Sequence, residues 1–153
     1  MSGPLLDHIA VACTVLEDVL PLYTEGLGLR LLGVEAVPTE GVRVAMLDLG
    51  GGARLELLEP TTETASIMGF LARRGPGLHH IALRVADIEA ALAQAQAAGL
   101  EIIPPAPRPG AGGSRVAFVH PKTLQGVLLE LVQPGAGVHG DAPPAGPAAG
   151  GTL

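Results

Sequence analysis

Two histidines and two glutamates stand at matched places in a chain of 153 residues, and together they have the makings of a metal site. His8 lies in Asp7-His8-Ile9-Ala10-Val11, and His80 lies in His79-His80-Ile81-Ala82-Leu83, 72 residues later. Glu56 lies in Leu55-Glu56-Leu57-Leu58-Glu59-Pro60, and Glu130 in Leu129-Glu130-Leu131-Val132-Gln133-Pro134, 74 residues later. Two imidazoles and two carboxylates gathered in one cleft suit a divalent transition ion in octahedral geometry, with two positions left for water or substrate. A polar residue alternating with apolar ones ordinarily marks the solvated face of a half-buried strand. That explanation covers any one of the four. It does not account for the same residue types recurring at equivalent places in a repeat.

The repeat extends beyond these segments. Gly28-Leu29 matches Gly99-Leu100, and Gly41-Val42-Arg43-Val44-Ala45-Met46 matches Gly113-Ser114-Arg115-Val116-Ala117-Phe118, again 72 residues on. Such order and spacing identify a duplicated module of about sixty residues. Each copy reads strand, helix, strand, strand, strand. Leu6 to Cys13 alternates, with Ile9, Val11 and Cys13 on one face and His8, Ala10 and Ala12 on the other. Thr14 and Glu17 have the spacing of a capping box for a helix carrying Val15, Val19, Leu22 and Tyr23. Pro21 should bend that helix or shift its start, and Gly26 and Gly28 should end it. Strands are predicted near 30–35, 42–49 and 54–58, and a second helix near 88–98 with Asp87 as its cap. Between the copies, residues 64–73 can form a short helix carrying Ile67, Met68, Phe70 and Leu71. The predicted fold is therefore α+β: two tandem βαβββ modules, about 5–60 and 77–133, forming a curved mixed sheet around a metal-binding cleft within a domain spanning 1–133. His79 is expected on the face opposite His80, toward the helix layer, in a structural role. His120 is expected to stabilise a turn.

Composition narrows the partners. Hydrophobic residues make up 48% of the chain and charged residues 16%, so there is material for a core and wholesale disorder is excluded. A net charge of −6 argues against a nucleic-acid partner, which needs a basic surface. The single cysteine, Cys13, leaves no intrachain disulfide and points to a reducing cytoplasm. No apolar run approaches the roughly eighteen residues of a membrane span, so no membrane association is expected. Residues 134–153, of which fifteen are Gly, Ala or Pro, read as a flexible tail that includes His139.

Together these segments resemble the vicinal oxygen chelate (glyoxalase/bleomycin resistance) superfamily and, within it, the methylmalonyl-CoA epimerase family. The resemblance covers residues 5–133 and is carried by Asp7-His8-Ile9-Ala10, Leu55 to Pro60, and Gly77-Leu78-His79-His80-Ile81-Ala82. More particular to the epimerases are Arg108-Pro109-Gly110-Ala111-Gly112-Gly113 and Phe118-Val119-His120-Pro121-Lys122 running into Gly126 to Leu131. The resemblance implies metal ligation by His8, Glu56, His80 and Glu130, with Glu56 standing where some epimerases have Gln. The implied ion is divalent (Co, Mn, Ni or Zn). The implied reaction removes and returns the proton alpha to a thioester carbonyl, with Glu130 and Glu56 as catalytic bases and Lys122, the only lysine, binding the acyl-CoA substrate. A carboxylate that some members use as a base falls here on Val44, which cannot move a proton. Arg73, Arg74 and Arg108 are further candidates for phosphate contacts. A homodimer is implied as well. A glyoxalase I-type lactoylglutathione lyase and a non-catalytic small-ligand-binding protein of the same fold are the alternative readings.

Overall fold

The computed structural model describes residues 3–110 and 113–136. The first module supplies strand β1 (Leu5–Ala12), helix α1 (Leu16–Pro21), and strands β2 (Leu31–Val37), β3 (Val42–Gly50) and β4 (Ala53–Pro60). Helix α2 (Ser66–Arg74) leads into the second module: β5 (Gly77–Arg84), α3 (Ile88–Ala97), β6 (Ile102–Pro109), β7 (Arg115–Val119) and β8 (Leu129–Gln133). The eight strands form one mixed sheet in the order β2-β3-β4-β1-β5-β8-β7-β6. Within each module the first and last strands run parallel, and β1 and β5 meet antiparallel at the centre. The two halves thus join edge to edge, with the first strand of each at the seam. The expected tail lies, from residue 137 on, outside the described residues, as does His139.

Alternation divides each strand between two packed faces. On one face Cys13, Leu16, Ala45, Leu47, Leu55 and Leu57 bury α1, and Val85, Ile88, Leu92, Ala117 and Leu131 bury α3. On the other face Ala10, Ala12, Val44, Met46 and Leu58 pack with Ile67 of α2, joined by Met68, Phe70 and Leu71. This second face carries His8 and His80. The β3–β4 hairpin closes through Gly50, Gly51 and Gly52 at φ +81°, +61° and +84°, three successive left-handed residues that a side chain would strain.

The start of α1 differs from the expected capping box. Val15 occupies the cap position without a side-chain bond, and the Leu16 N–H donates to Glu59 Oε2 at 2.5 Å instead. Glu17 pairs with Arg43, whose guanidinium also meets Glu59 at 3.1 Å. A carboxylate distant in sequence has displaced the local cap, a substitution that only the β4–α1 contact could reveal. Pro21, which lacks an N–H, ends the α-helical turn, and the chain widens into a π turn over Leu22–Gly26 before Gly28 reverses it at φ +74°. The other expected cap is present: Asp87 accepts from the Ala90 N–H at 3.1 Å. Replacing Glu59 by Ala removes both the helix cap and the Arg43 partner. The expected loss is about 1–2 kcal/mol of stability, read from the urea midpoint at unchanged slope.

Candidate metal centre

Strand register gathers the four ligand candidates around two alanines. Ala10 of β1 faces Glu56 on β4 and His80 on β5; Ala82 of β5 faces His8 on β1 and Glu130 on β8. Methyl groups at these two positions leave the space above them to the larger side chains on either side. His8, Glu56 and Glu130 are 0% exposed and His80 is 1% exposed, so none of the four can rely on water. His8 Nε2 and His80 Nε2 lie 3.1 Å apart, and Glu130 Oε2 is 3.2 Å from the first and 3.0 Å from the second. Those are the separations of adjacent ligand atoms around an ion whose bonds are about 2.1 Å long. Glu56 stands slightly further off, its Oε2 3.6 Å from His8 Nε2 and its Oε1 3.6 Å from Arg54 Nη2. Among the described residues, the carboxylate oxygens of Glu56 and Glu130 have no well-formed hydrogen bond beyond these imidazole and guanidinium contacts. Buried carboxylates without donors are costly, and a divalent cation among them would offset that cost. The donor set therefore fits a divalent metal: His8, His80 and Glu130 form the tight group, with Glu56 beside it.

Each imidazole is held by the residue before it, and the device is the same in both halves. Pairing of β1 with β5 shifts register twice, leaving Asp7 as the extra residue on β1 and His79 as the extra residue on β5. A β-bulge turns its side chain out of strict alternation. Asp7 Oδ2 thereby accepts from His8 Nδ1 at 2.7 Å, and His79 Nδ1 lies 2.9 Å from His80 Nδ1. Each bond directs the opposite nitrogen, Nε2, toward the centre. Asp7 is itself gripped by Arg84 at 3.0 Å and Arg54 at 3.3 Å.

The titration of these groups follows from their neighbours. Burial works against a charge on Asp7, but His8, Arg54 and Arg84 outweigh it and hold the carboxyl at about 2. Burial likewise opposes charging of His8, yet Glu56, the Asp7 hydrogen bond and Glu130 raise its pKa to about 10. Burial raises the Glu56 pKa against the pull of His8 and Arg54. His79 is held down to about 4 by burial and by its neighbour His80, so it stays neutral and can accept the His80 Nδ1–H.

One of the other expected residues sits elsewhere. His79 is not on the opposite face: the bulge turns it against Phe70 of α2, ring centroids 4.8 Å apart, and onto His80. Lys122 is exposed, with its ammonium 2.8 Å from Glu101. His120 has the turn role expected of it, its Nδ1 accepting from the Lys122 N–H at 3.1 Å. Val44 is fully buried. A cavity of about 170 Å³ opens beside His79, walled by Phe70, Arg73, Arg74 and Leu128. Asp7 and His79 are the functional positions that reading by alternation missed. Their signal was a polar residue directly before each matched histidine.

Asp7 also sets an acid limit. Its pKa lies below the ordinary 3.8, so its contribution to stability is complete above about pH 4 and disappears as pH falls through about 2. Urea unfolding between pH 5 and 2 is expected to lose about 2 kcal/mol through this group, a loss absent from Asp7→Asn. The same variant is expected to bind Co²⁺ about 10- to 100-fold more weakly by calorimetry, because the His8 ring is no longer held.

Comparison with known proteins agrees with this geometry. The profile of the Glyoxalase/Bleomycin resistance protein/Dioxygenase superfamily matches residues 7–118. The chain is 37% identical over 130 residues to the ethylmalonyl-CoA/methylmalonyl-CoA epimerase of Cereibacter sphaeroides, covering 84% of this chain and 96% of that protein. It is 36% identical over 129 residues to the mitochondrial methylmalonyl-CoA epimerase of Mus musculus, covering 84% and 72% respectively. A solved methylmalonyl-CoA epimerase in complex with methylmalonyl-CoA and NH4+ superposes with a TM-score of 0.77 at 39% identity, covering 88% of this chain and 97% of that one. With the paired modules, the matched ligands and these likenesses in agreement, the chain belongs to the Glyoxalase/Bleomycin resistance protein/Dioxygenase superfamily.

Proposed function

We propose that the protein is a metal-dependent epimerase interconverting (R)- and (S)-methylmalonyl-CoA. The observation that carries this reading is the mutual approach of His8 Nε2, His80 Nε2 and Glu130 Oε2 to 3.0–3.2 Å inside a buried, donor-poor site. The substrate class comes from the relatives named for it. A divalent ion held by His8, His80, Glu130 and Glu56 would supply a Lewis acid for the oxygens of the malonyl head as charge develops there. Co, Mn, Ni and Zn all accept this donor set.

In this reading Glu130, its carboxylate beside the two imidazoles, takes the alpha proton from one face of the substrate. Glu56 carries the expectation of a second base, but it is flanked by Arg54 on one oxygen and His8 on the other, which favours a ligand's role. Asp7 and His79 keep the two rings aimed at the centre. Arg73 and Arg74 line the cavity beside His79 and suit the phosphates of a coenzyme A ester. Lys122, exposed and paired with Glu101 at the surface, keeps its proposed role of meeting the substrate's carboxylate or phosphates as a point charge. A homodimer belongs to the same proposal.

The deciding experiment follows turnover of each methylmalonyl-CoA epimer in deuterated water by the Co²⁺-loaded protein, with a glutathione hemithioacetal as the competing substrate. Inversion with alpha-deuterium incorporation, abolished by chelation and lowered about 10²–10⁴-fold by Glu130→Gln, is the expected result. Turnover of the hemithioacetal alone would make the protein a lyase, and no exchange at all would make it a binder. Metal affinity carries its own pH signature. His8 must lose its proton to ligate, so Co²⁺ binding should tighten by about tenfold per pH unit below its pKa of about 10.

A further inference from the structure

Among the described residues, three glutamates hold a buried side-chain oxygen without a hydrogen-bond partner: Glu56, Glu130 and Glu35. The first two belong to the metal centre. Glu35 does not, and nothing in the ligand set explains it. It lies on β2, an edge strand, where a glutamate would ordinarily turn outward into water. Its Oε2 is instead sealed from solvent, so the side chain turns inward.

The direction it takes is fixed by register. Glu35 pairs with Val44 on β3, and Val44 pairs with Leu58 on β4. Val44 and Leu58 pack with Ala10 and Ala12 on the face that carries His8 and His80. Directly opposed residues on neighbouring strands keep their Cβ atoms about 5 Å apart, so the Glu35 carboxylate stands beside the Val44 side chain on the metal-site face. One strand, β3, separates it from Glu56, and two strand spacings with a two-residue offset put roughly 12 Å between the backbones.

The other half of the molecule carries a different residue there. Val116 matches Val44 across the repeat, and the residue opposite Val116 on the other edge strand is Arg108. Its guanidinium lies 5.1 Å over the Phe118 ring, which in turn stands 5.7 Å from the His80 ring. Both edge strands therefore aim a charged side chain at the same face, a carboxylate from one rim and a guanidinium from the other. The ligands are duplicated; the rims are not.

Inversion of a carbon centre needs a proton-handling group on each face of the substrate. One group removes the alpha proton from one face, the C–H electron pair passes into the enolate, and a second acid returns a proton to the opposite face. One C–H bond breaks and one forms. We propose that Glu35 is the second proton-handling residue, serving the substrate face opposite Glu130. This inference rests on the epimerase reading above and names a residue outside the metal ligands for it.

The test separates inversion from exchange. With Glu35→Gln loaded with Co²⁺, inversion is expected to fall at least about 100-fold. The epimer whose alpha hydrogen faces Glu130 should still exchange that hydrogen with deuterated water. Wild-type inversion by Glu35→Gln would overturn the assignment and pass the second proton to Glu56 or to water. An equal loss of inversion and exchange would also overturn it, since a merely structural role predicts that outcome. Should Glu35→Gln fail to fold, Glu35→Asp keeps the charge and draws it back by one methylene. Its ratio of inversion to exchange is then expected to fall, and an unchanged ratio would count against the proposal. Wild-type protein that neither inverts nor exchanges would instead sink the epimerase reading, and this inference with it.

Discussion

Buried negative charge is the constraint around which this molecule is arranged. Glu56 and Glu130 are removed entirely from water, with their carboxylates beside the His8 and His80 imidazoles and the Arg54 guanidinium, a state a folded chain tolerates only with positive charge close by. Without a metal, the proton on His8 and the guanidinium of Arg54 provide it. A divalent cation provides more, at the cost of that proton. The apolar layers on both faces of the sheet, the helices that cover them and the alanines beneath the ligands all serve to keep this small charged volume dry.

The second requirement is orientation, met by breaking the regularity of the sheet. Perfect alternation would send Asp7 and His79 to the face opposite their ligand neighbours. The two bulges at the β1–β5 seam hold them beside His8 and His80 instead, so each ring nitrogen that faces away from the centre is bonded. The supports are not equal. An aspartate carrying full charge backs His8, whereas a neutral imidazole backs His80. Phe70 meets His79 edge to face and so couples α2 to the same chain of contacts. The centre itself is fully buried, and a cavity lies beside it between Phe70 of α2, His79 and Leu128.

Duplication explains much of the site, and divergence explains the remainder. The ligand candidates recur as His, Glu, His, Glu because both halves place the same residue types at matching strand positions. The edge strands, unlike the ligand candidates, are not copies of one another. Glu35 and Arg108 stand at corresponding places with opposite charge, and Glu59 caps α1 whereas Asp87 caps α3. The helix caps show how a tertiary contact can replace a local one without altering the element it serves.

Periodicity and self-similarity, which are local and repeated, were enough to determine two βαβββ modules, the faces of their strands and the four ligand candidates. Side-chain alternation depends only on the backbone's own geometry, and a matched pair of motifs needs no coordinates to be seen. Other features depend on which strand lies beside which, and in what register. The bulges that turn Asp7 and His79, the Glu59 cap, the Glu101 partner of Lys122 and the inward turn of Glu35 are of this kind. Register between distant strands is a property of the assembled sheet, because it is set by packing across both faces at once. Tertiary structure alone therefore decided how the imidazoles are held and which further carboxylate shares their face.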